Sequence, residues 1–128
     1  MLGVLPGGGD QGSVVALVRK FRCYFIDERA AITAWRLLER DVHEAAQQYA
    51  LGLLPGYPPA MIVELWDGAD LTFRYSRLET PQTPSELRRL CQLALAAAEE
   101  EIDIAMKRAI AWGAATLASQ AVELESPA

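Results

Sequence analysis

Few residues in this chain have the types and spacing that catalysis requires. His43 is the only histidine, and Cys23 is one of two cysteines. A cysteine and a histidine can act as a nucleophile and its base, but only where their side chains meet. Cys23 lies at a core-facing position of a predicted strand, whereas His43 lies on the predicted solvent side of a helix. The sequence therefore favours no catalytic residue, and we expect a protein that is not an enzyme.

The densest group of carboxylates runs from Glu99 to Asp103. In a continuous helix Glu99 and Asp103 lie one turn apart and Lys107 lies one turn further, which is the spacing of exposed ion pairs. Helical di-iron sites use Glu-x-x-His motifs, and the sequence contains none. We interpret the group as a solvated helix face, with a weak divalent-cation site as the alternative. We predict no bound metal and no cofactor.

Basic and aromatic side chains share one face of a predicted sheet. Arg22, Tyr24 and Arg74 lie on that face, and the ambiguous register of the second strand leaves open whether Arg36 joins them. Some single-strand RNA-binding domains use such faces, because aromatic rings stack on bases and cations neutralise phosphates. Glu64 lies among these residues and opposes that reading. The alternatives are a face that is wet or covered by the C-terminal helix, and a face that binds a protein.

The composition is typical of one folded domain. The chain has 128 residues, of which 52% are hydrophobic and 23% charged, and this is enough to bury a core without a disulfide or metal. The formal net charge of −5 disfavours nucleic acid as a partner. The two cysteines lack any Cys-x-x-Cys spacing, which is typical of reduced thiols in a cytosolic protein.

The N-terminal segment does not have the pattern of a secretory signal. It lacks a basic region, and Pro6 interrupts its apolar run. The longest uncharged apolar run, residues 109–118, is far shorter than the roughly 20 residues that span a bilayer. We therefore expect a cytoplasmic protein with no membrane partner.

The stretch from Ala60 to Tyr75 predicts a β-hairpin, because apolar and polar residues alternate on both sides of Asp67-Gly68. A type I turn with Gly68 in the left-handed conformation pairs Val63 with Leu71. That register places six apolar residues on one face: Met61, Val63, Leu65, Leu71, Phe73 and Tyr75. It leaves Trp66 at the hairpin tip, where Trp66 either contacts a partner or folds back under the N-terminal tail.

The order of the predicted elements defines the fold class. Two strands over residues 16–27 and 31–39 precede a helix that Asp41 caps together with Glu44, and the hairpin follows. We predict an α+β protein with a four-stranded, mostly antiparallel sheet (ββαββ) and one packed helix, followed by a long C-terminal helix or helical hairpin. The predicted divisions are a flexible tail over 1–13, the ββαββ domain over 14–76, a linker over 77–83 and a helical extension over 84–123.

The helical extension opens with a second capping box, Thr83-Pro84-Ser85-Glu86. It forms either one long helix or two helices with a break that the sequence does not locate. A helical stripe runs along it and includes Ile102, Ala105, Ala109 and Trp112. A single helix of about 35 residues would exceed about 50 Å, which is longer than the sheet. The extension therefore either folds back on itself or pairs with a second copy of the chain.

Residues 19–75 resemble a family of short uncharacterised proteins that are common in alphaproteobacteria. The resemblance rests on Tyr24-Phe25-Ile26-Asp27, on Asp41 with Glu44-Ala45-Ala46, and on Glu64-Leu65-Trp66-Asp67-Gly68. It implies a strand-strand-helix-strand-strand fold with an ELWDG hairpin. The family has no assigned activity, so the resemblance implies no catalytic residue and does not extend to the helical extension.

Taken together, these patterns predict a non-enzymatic module for protein interaction or self-association. We expect a homo-oligomer formed through the C-terminal helix, or a complex with another protein. The alternative is a small nucleic-acid-binding or regulatory protein that uses the sheet face. The predicted interaction surface comprises Trp66, Arg22, Tyr24, Arg74, Ile102, Ala105, Ala109 and Trp112.

Overall fold

The computed structural model of this chain describes residues 19–126. The predicted tail over 1–13, and residues 14–18 of the predicted domain, lie outside the described residues. The elements in chain order are β1 (Arg19–Ile26), β2 (Ile32–Arg40), α1 (His43–Leu53), a short 3₁₀ turn (Leu54–Gly56), β3 (Ile62–Asp67), β4 (Asp70–Ser76), α2 (Pro84–Glu100) and α3 (Ile104–Glu125). The four strands form one antiparallel sheet in the order β2-β1-β3-β4. The predicted α+β class is confirmed.

The helices of the described chain pack on one side of the sheet, which we call the covered face. Helix α1 contacts the sheet and α2, and α2 in turn contacts α3. Alternation in β1 buries Phe21, Cys23 and Phe25 on this face, and Val63 and Leu65 of β3 lie beside them, all with 0% exposure. These residues and the inner sides of the three helices form a single apolar core.

The β3–β4 hairpin has a different register from the predicted one. Val63 pairs with Tyr75 and Leu65 with Phe73, so the pairing of Val63 with Leu71 was wrong. The turn occupies Gly68 and Ala69, and a bulge lies between Leu65 and Trp66. Gly68 does adopt the predicted left-handed conformation, with φ 63°. Because of the bulge, the pairs of Val63 with Tyr75 and Leu65 with Phe73 stay on the covered face, but Leu71 turns to the other side of the sheet.

Helix α1 begins one residue later than a cap at Asp41 predicts. Strand β2 continues to Arg40, and Val42 is still extended, with φ −126° and ψ 141°. Val42 therefore holds the N-cap position without a side-chain hydrogen bond, and the predicted capping box of Asp41 and Glu44 was wrong. The pairing of edge strand β2 with β1, which extends to Arg40, therefore outweighs the local preference of Asp41 for the cap position.

Residues 84–125 form a helical hairpin, one of the two predicted alternatives. Thr83 caps α2 as predicted, since its side chain accepts from the backbone N–H of Glu86 at 3.1 Å. The chain leaves the helix at Glu101, and Asp103 caps α3 by accepting from the backbone N–H of Ala105 at 3.3 Å. An ion pair between Arg88 and Glu125 joins the start of α2 to the end of α3, so the two helices are antiparallel.

Two glycines let backbones approach closely around the helical hairpin. A Cβ at Gly52 of α1 would lie 2.2 Å from the carbonyl oxygen of Leu93 in α2, and a Cβ at Gly113 of α3 would lie 2.4 Å from that of Pro55. No L-residue with a side chain fits at these distances without backbone movement. Helix α1 is therefore seated directly on α2, and α3 is seated directly on the 3₁₀ turn. Together these contacts fix the position of α3.

Candidate functional site

The side of the sheet opposite the helices, which we call the open face, carries two rows of side chains across all four strands. Directly paired residues in antiparallel strands project to the same face. The first row is Leu37, Arg22, Trp66 and Leu71, and the second row is Trp35, Tyr24, Glu64 and Arg74. The structure thus brings the predicted face residues Arg22, Tyr24 and Arg74 together. Trp66, which was predicted at the hairpin tip, lies in the first row beside Arg22. The structure also settles the direction of Trp35, which the sequence left open.

Apolar side chains dominate the ends of these rows. Trp35 is 60% exposed, Leu37 51% and Leu71 45%. Sequence reasoning missed Leu37 because both parities of β2 contain apolar residues, and it missed Leu71 because of the hairpin bulge. Exposed apolar side chains are ordinary when isolated, but a contiguous group marks an interaction surface.

The polar members of the rows are partly engaged with one another. The guanidinium of Arg22 donates to the hydroxyl of Tyr24 at 2.8 Å and lies 5.6 Å from the centre of its ring. Trp66 Nε1 donates to Glu64 Oε1 at 3.0 Å. Arg74 donates to Glu79 at 3.0 Å, and this hydrogen bond, followed by smaller effects of Glu64, raises the pKa of Arg74. These contacts hold the aromatic rings in place on the open face.

The remaining predicted surface residues lie on the helical hairpin, away from the open face. Ile102 is 93% exposed in the turn between α2 and α3, and Trp112 is 75% exposed on α3. Ala105 is exposed and Ala109 partly buried. The break after Glu100 changes the phase of the helix, so Ile110, Ala114, Leu117 and Ala121 form the buried side of α3. The predicted continuous stripe through Ile102, Ala105 and Trp112 was therefore wrong.

Arg36 lies on the covered face and does not join the basic residues of the open face. It is paired with Cys23 across the sheet, and its guanidinium donates to Tyr57 Oη at 3.0 Å and to Glu101 Oε1 at 2.7 Å. The side chain of Glu101 is only 8% exposed. This ion pair links edge strand β2 to the turn between α2 and α3 beneath the surface.

Cys23 and His43 do not form a reactive pair in the described structure. Burial raises the pKa of Cys23 to about 12 against the opposing effect of Arg36, so its thiol is protonated at neutral pH. His43 is half-buried beside Phe21, with ring centres 5.6 Å apart, and was wrongly predicted on the solvent side. Its Nδ1 hydrogen-bonds Gln47, and its buried Nε2 has no hydrogen-bond partner in the described part of the chain.

The carboxylates predicted as a solvated helix face are separated by the end of α2. Glu100 pairs with Arg40 at 2.8 Å, Glu101 pairs with Arg36, and Asp103 caps α3. The predicted one-turn alignment of Glu99 with Asp103 does not exist, because residues 101–103 are not helical. Within residues 19–126, no group of three or more metal-ligating side chains is assembled.

A cavity of about 640 Å³ lies at the end of the sheet where the prolines meet α3. Pro55, Pro59, Arg77, Trp112 and Leu117 are among its lining residues. Sequence reasoning identified neither the cavity nor Arg77. The only sequence feature that pointed to a cavity was the proline-rich connector over residues 55–59. Closely spaced prolines form a stiff chain that does not fill the space beside it.

Comparisons of this chain with protein-family models, with curated proteins and with solved structures find no match. Among the described residues, no helix has the length and apolar character needed to cross a membrane.

Proposed function

We propose that this protein is a non-enzymatic self-association module and that two copies pack through their open faces. The observation that supports this is the pair of rows, in which Trp35, Leu37 and Leu71 remain exposed beside Tyr24 and Trp66. Aromatic residues are enriched at the centres of protein interfaces, where they bury a large area. Covering these side chains would remove their apolar surface from water, which favours association.

A second copy suits the open face in shape and charge. Two antiparallel sheets pack well face to face at a small angle, as in β-sandwiches. The face carries both signs of charge, with Arg22 and Glu64 in neighbouring rows. A two-fold axis can set Arg22 of each copy against Glu64 of the other, so one favourable contact occurs twice.

The helical hairpin is a weaker basis for association than the sequence implied. The reason for expecting it was a long helix without an internal partner, whereas α2 packs between α1 and α3. Ile102 and Ile104 remain exposed at the hairpin turn and provide a matched surface for comparison. The nucleic-acid alternative is also less favoured, since Glu64 and Glu79 neutralise Arg74 and would repel phosphates.

Light scattering coupled to size-exclusion chromatography, over a range of concentrations, tests this proposal. We expect a dimer for the wild type, a monomer for a variant with Trp35→Glu and Leu37→Glu, and a dimer for a control with Ile102→Glu and Ile104→Glu. All four residues are exposed, so the substitutions should leave the fold intact.

Three outcomes contradict the proposal. The first is a wild-type monomer at every concentration. The second is dimerisation that the Ile102→Glu, Ile104→Glu control abolishes and the sheet variant does not, which would transfer the interface to the hairpin. The third is a monomer that binds single-stranded oligonucleotides and loses that binding on Arg22→Glu, Arg74→Glu substitution, which would favour the nucleic-acid alternative.

A further inference from the structure

The cavity beside α3 has the size and lining of a small-molecule site. Its volume of about 640 Å³ lies within the range of roughly 300–1,000 Å³ that is usual for such sites. Its inner wall is formed by four buried leucines: Leu51, Leu54, Leu90 and Leu117. Trp112 lies on its wall and is 75% exposed, so its indole is free to cover a bound molecule. An apolar body therefore fits between the leucines and the indole ring.

The walls of the cavity are held in place by close backbone contacts. Gly113 contacts Pro55, and a Cβ at Gly56 would lie 2.5 Å from Cγ1 of Ile110. These contacts seat α3 directly on the 3₁₀ turn. Pro58 and Pro59 restrict the adjoining connector. This part of the cavity wall is thus built into the packing of the fold.

Among the described residues that line the cavity, Arg77 is the one partly buried cation. Three arginines of the described chain are partly buried: Arg36, Arg40 and Arg77. Arg36 and Arg40 each have a carboxylate partner, whereas no carboxylate of the described residues lies within ion-pair distance of Arg77. Arg77 instead donates to the neutral amide oxygens of Gln82 at 2.7 Å and Gln120 at 3.5 Å.

The partly buried positive charge of Arg77 favours an anionic ligand. Burial lowers the pKa of Arg77, yet a guanidinium remains protonated in proteins, so the charge persists where water solvates it less well. A partly desolvated charge is stabilised by an opposite charge with hydrogen-bond geometry, and a carboxylate accepts two hydrogen bonds from a guanidinium.

The acidic residues at the cavity do not fill this role. Oδ1 of Asp27 accepts from the backbone N–H groups of Arg29 and Ala31 in the β1–β2 turn, both at 2.9 Å. Glu28 and Arg29 also line the cavity, but both are exposed to solvent and carry opposite charges. A single inner cation matches a ligand with one negative charge better than a phosphate, which carries nearly two at neutral pH.

We propose that this cavity binds a small monocarboxylic acid with an apolar body. The carboxylate pairs with the guanidinium of Arg77, and the apolar body lies between the buried leucines and the indole of Trp112. This site is on the helical side of the molecule, so the inference does not rest on the proposed self-association through the open face.

Fluorescence of Trp112 provides a direct test. The chain has three tryptophans, so Trp35→Phe together with Trp66→Phe leaves Trp112 as the only indole. Naphthylacetate, phenylacetate and decanoate serve as probes, and naphthylacetamide serves as the uncharged control. We expect saturable changes in emission with the acids, and binding of the amide that is weaker by about tenfold or more. Calorimetry on the wild-type chain gives the affinities independently.

Two variants assign the binding to the cavity. Arg77→Gln should weaken binding of the acids by about tenfold or more and bring them level with the amide. Thr116→Phe places an aromatic ring in the cavity from an exposed position of α3 and should abolish binding of acids and amide alike. Arg108→Gln, on the same helix but outside the lining, is the matched control and should bind as the wild type does.

The expected pattern is specific enough to fail clearly. The inference is overturned if no acid binds at millimolar concentration, if the amide binds as tightly as naphthylacetate, or if Thr116→Phe leaves the affinities unchanged. Should Arg77→Gln fail to fold in circular dichroism, the Thr116→Phe variant and the comparison of acid with amide decide the matter on their own.

Discussion

Arg36 and Glu101 form an ion pair with 2.7 Å between Nη1 and Oε1, and this contact ties edge strand β2 to the turn where α2 gives way to α3. The two residues are 65 positions apart in sequence. The neighbouring pair of Arg40 and Glu100 repeats the connection at the surface, with the Glu100 side chain 59% exposed. The two pairs therefore allow an arginine–glutamate ion pair beneath the surface to be compared with one that is exposed.

The inner pair should contribute far more to stability than the outer pair. Glu101→Gln leaves Arg36 without its carboxylate beneath the helical turn, and we expect a loss of about 2 kcal/mol in the free energy of unfolding. Glu100→Gln is the matched control and should cost less than about 1 kcal/mol, because its pair is exposed. Urea denaturation measures both values, and equal losses would contradict the assignment.

The same pair predicts a loss of stability in acid. Burial by itself raises the pKa of Glu101, but the hydrogen bonds from Arg36 and from the backbone of Asp103 and Ile102 outweigh it, so the pKa is lowered from its ordinary value of 4.5. A carboxyl with a lower pKa in the folded state stabilises the fold above its unfolded pKa, and this contribution disappears as the pH falls through the folded pKa. Stability should therefore decline below about pH 4.5, and less steeply in Glu101→Gln.

Gly52→Ala should destabilise the fold through backbone overlap. The added methyl would lie 2.2 Å from the carbonyl oxygen of Leu93 and 2.9 Å from Cβ of Ala97, so α1 and α2 must separate. We expect a loss of about 2–3 kcal/mol, although alanine is the better helix former. At Gly68 an added methyl meets nothing within 4 Å and only the φ of 63° opposes it, so Gly68→Ala should cost about 1 kcal/mol. Thermal melting distinguishes the two, and a stabilised Gly52→Ala would refute the close packing.

Ala30→Gly should stabilise the β1–β2 turn. Ala30 has φ 68°, a conformation that costs an L-residue about 1 kcal/mol or more and costs glycine almost nothing. Allowing for the greater freedom of glycine in the unfolded chain, we expect a gain of up to about 1 kcal/mol. Ala31→Gly is the matched control next door, where φ is not positive, and should destabilise. A loss for both variants in chemical denaturation would contradict the prediction.

Cys23 should resist thiol reagents in the folded protein. Its burial raises its pKa to about 12, so the reactive thiolate is scarce at pH 8. In a Cys91→Ser variant, alkylation of Cys23 should proceed only through unfolding and should accelerate sharply in denaturant. The reciprocal variant Cys23→Ser retains the half-buried Cys91 as the comparison. Rapid native labelling of Cys23 would show that the covered face is open to solvent.

Local chemistry in the sequence located some features of the fold, and tertiary contacts decided the others. Thr83 and Gly68 were placed correctly because capping and left-handed turns depend on a few adjacent residues. Asp41 failed as a cap because β2 runs past its expected end. The break at Ile102 had no glycine or proline to mark it, whereas Gly113, the residue that resembles a break, stays helical because it faces Pro55.

The candidate sites were harder to predict than the fold. Arg22, Tyr24 and Arg74 could be placed on one face from the alternation of their strands, whereas Trp66 was predicted only at the hairpin tip. The direction of Trp35 depended on which alternate set of residues in β2 faces the core. Only its pairing with Tyr24 shows that Trp35 points to the open face. Arg77 and its cavity arise where five separate segments of the chain meet, and no pattern within one segment describes such a meeting.

The sheet order β2-β1-β3-β4 also constrains how the chain can fold. Each β-hairpin joins neighbours in sequence, but the central pairing of β1 with β3 brings Cys23 to Leu65, across the whole of β2 and α1. Closing so large a loop is entropically slow compared with forming either hairpin. The rate of refolding should thus be governed by the meeting of two preformed hairpins, β1–β2 and β3–β4. During synthesis the first hairpin therefore waits for the second until residue 76 has left the ribosome.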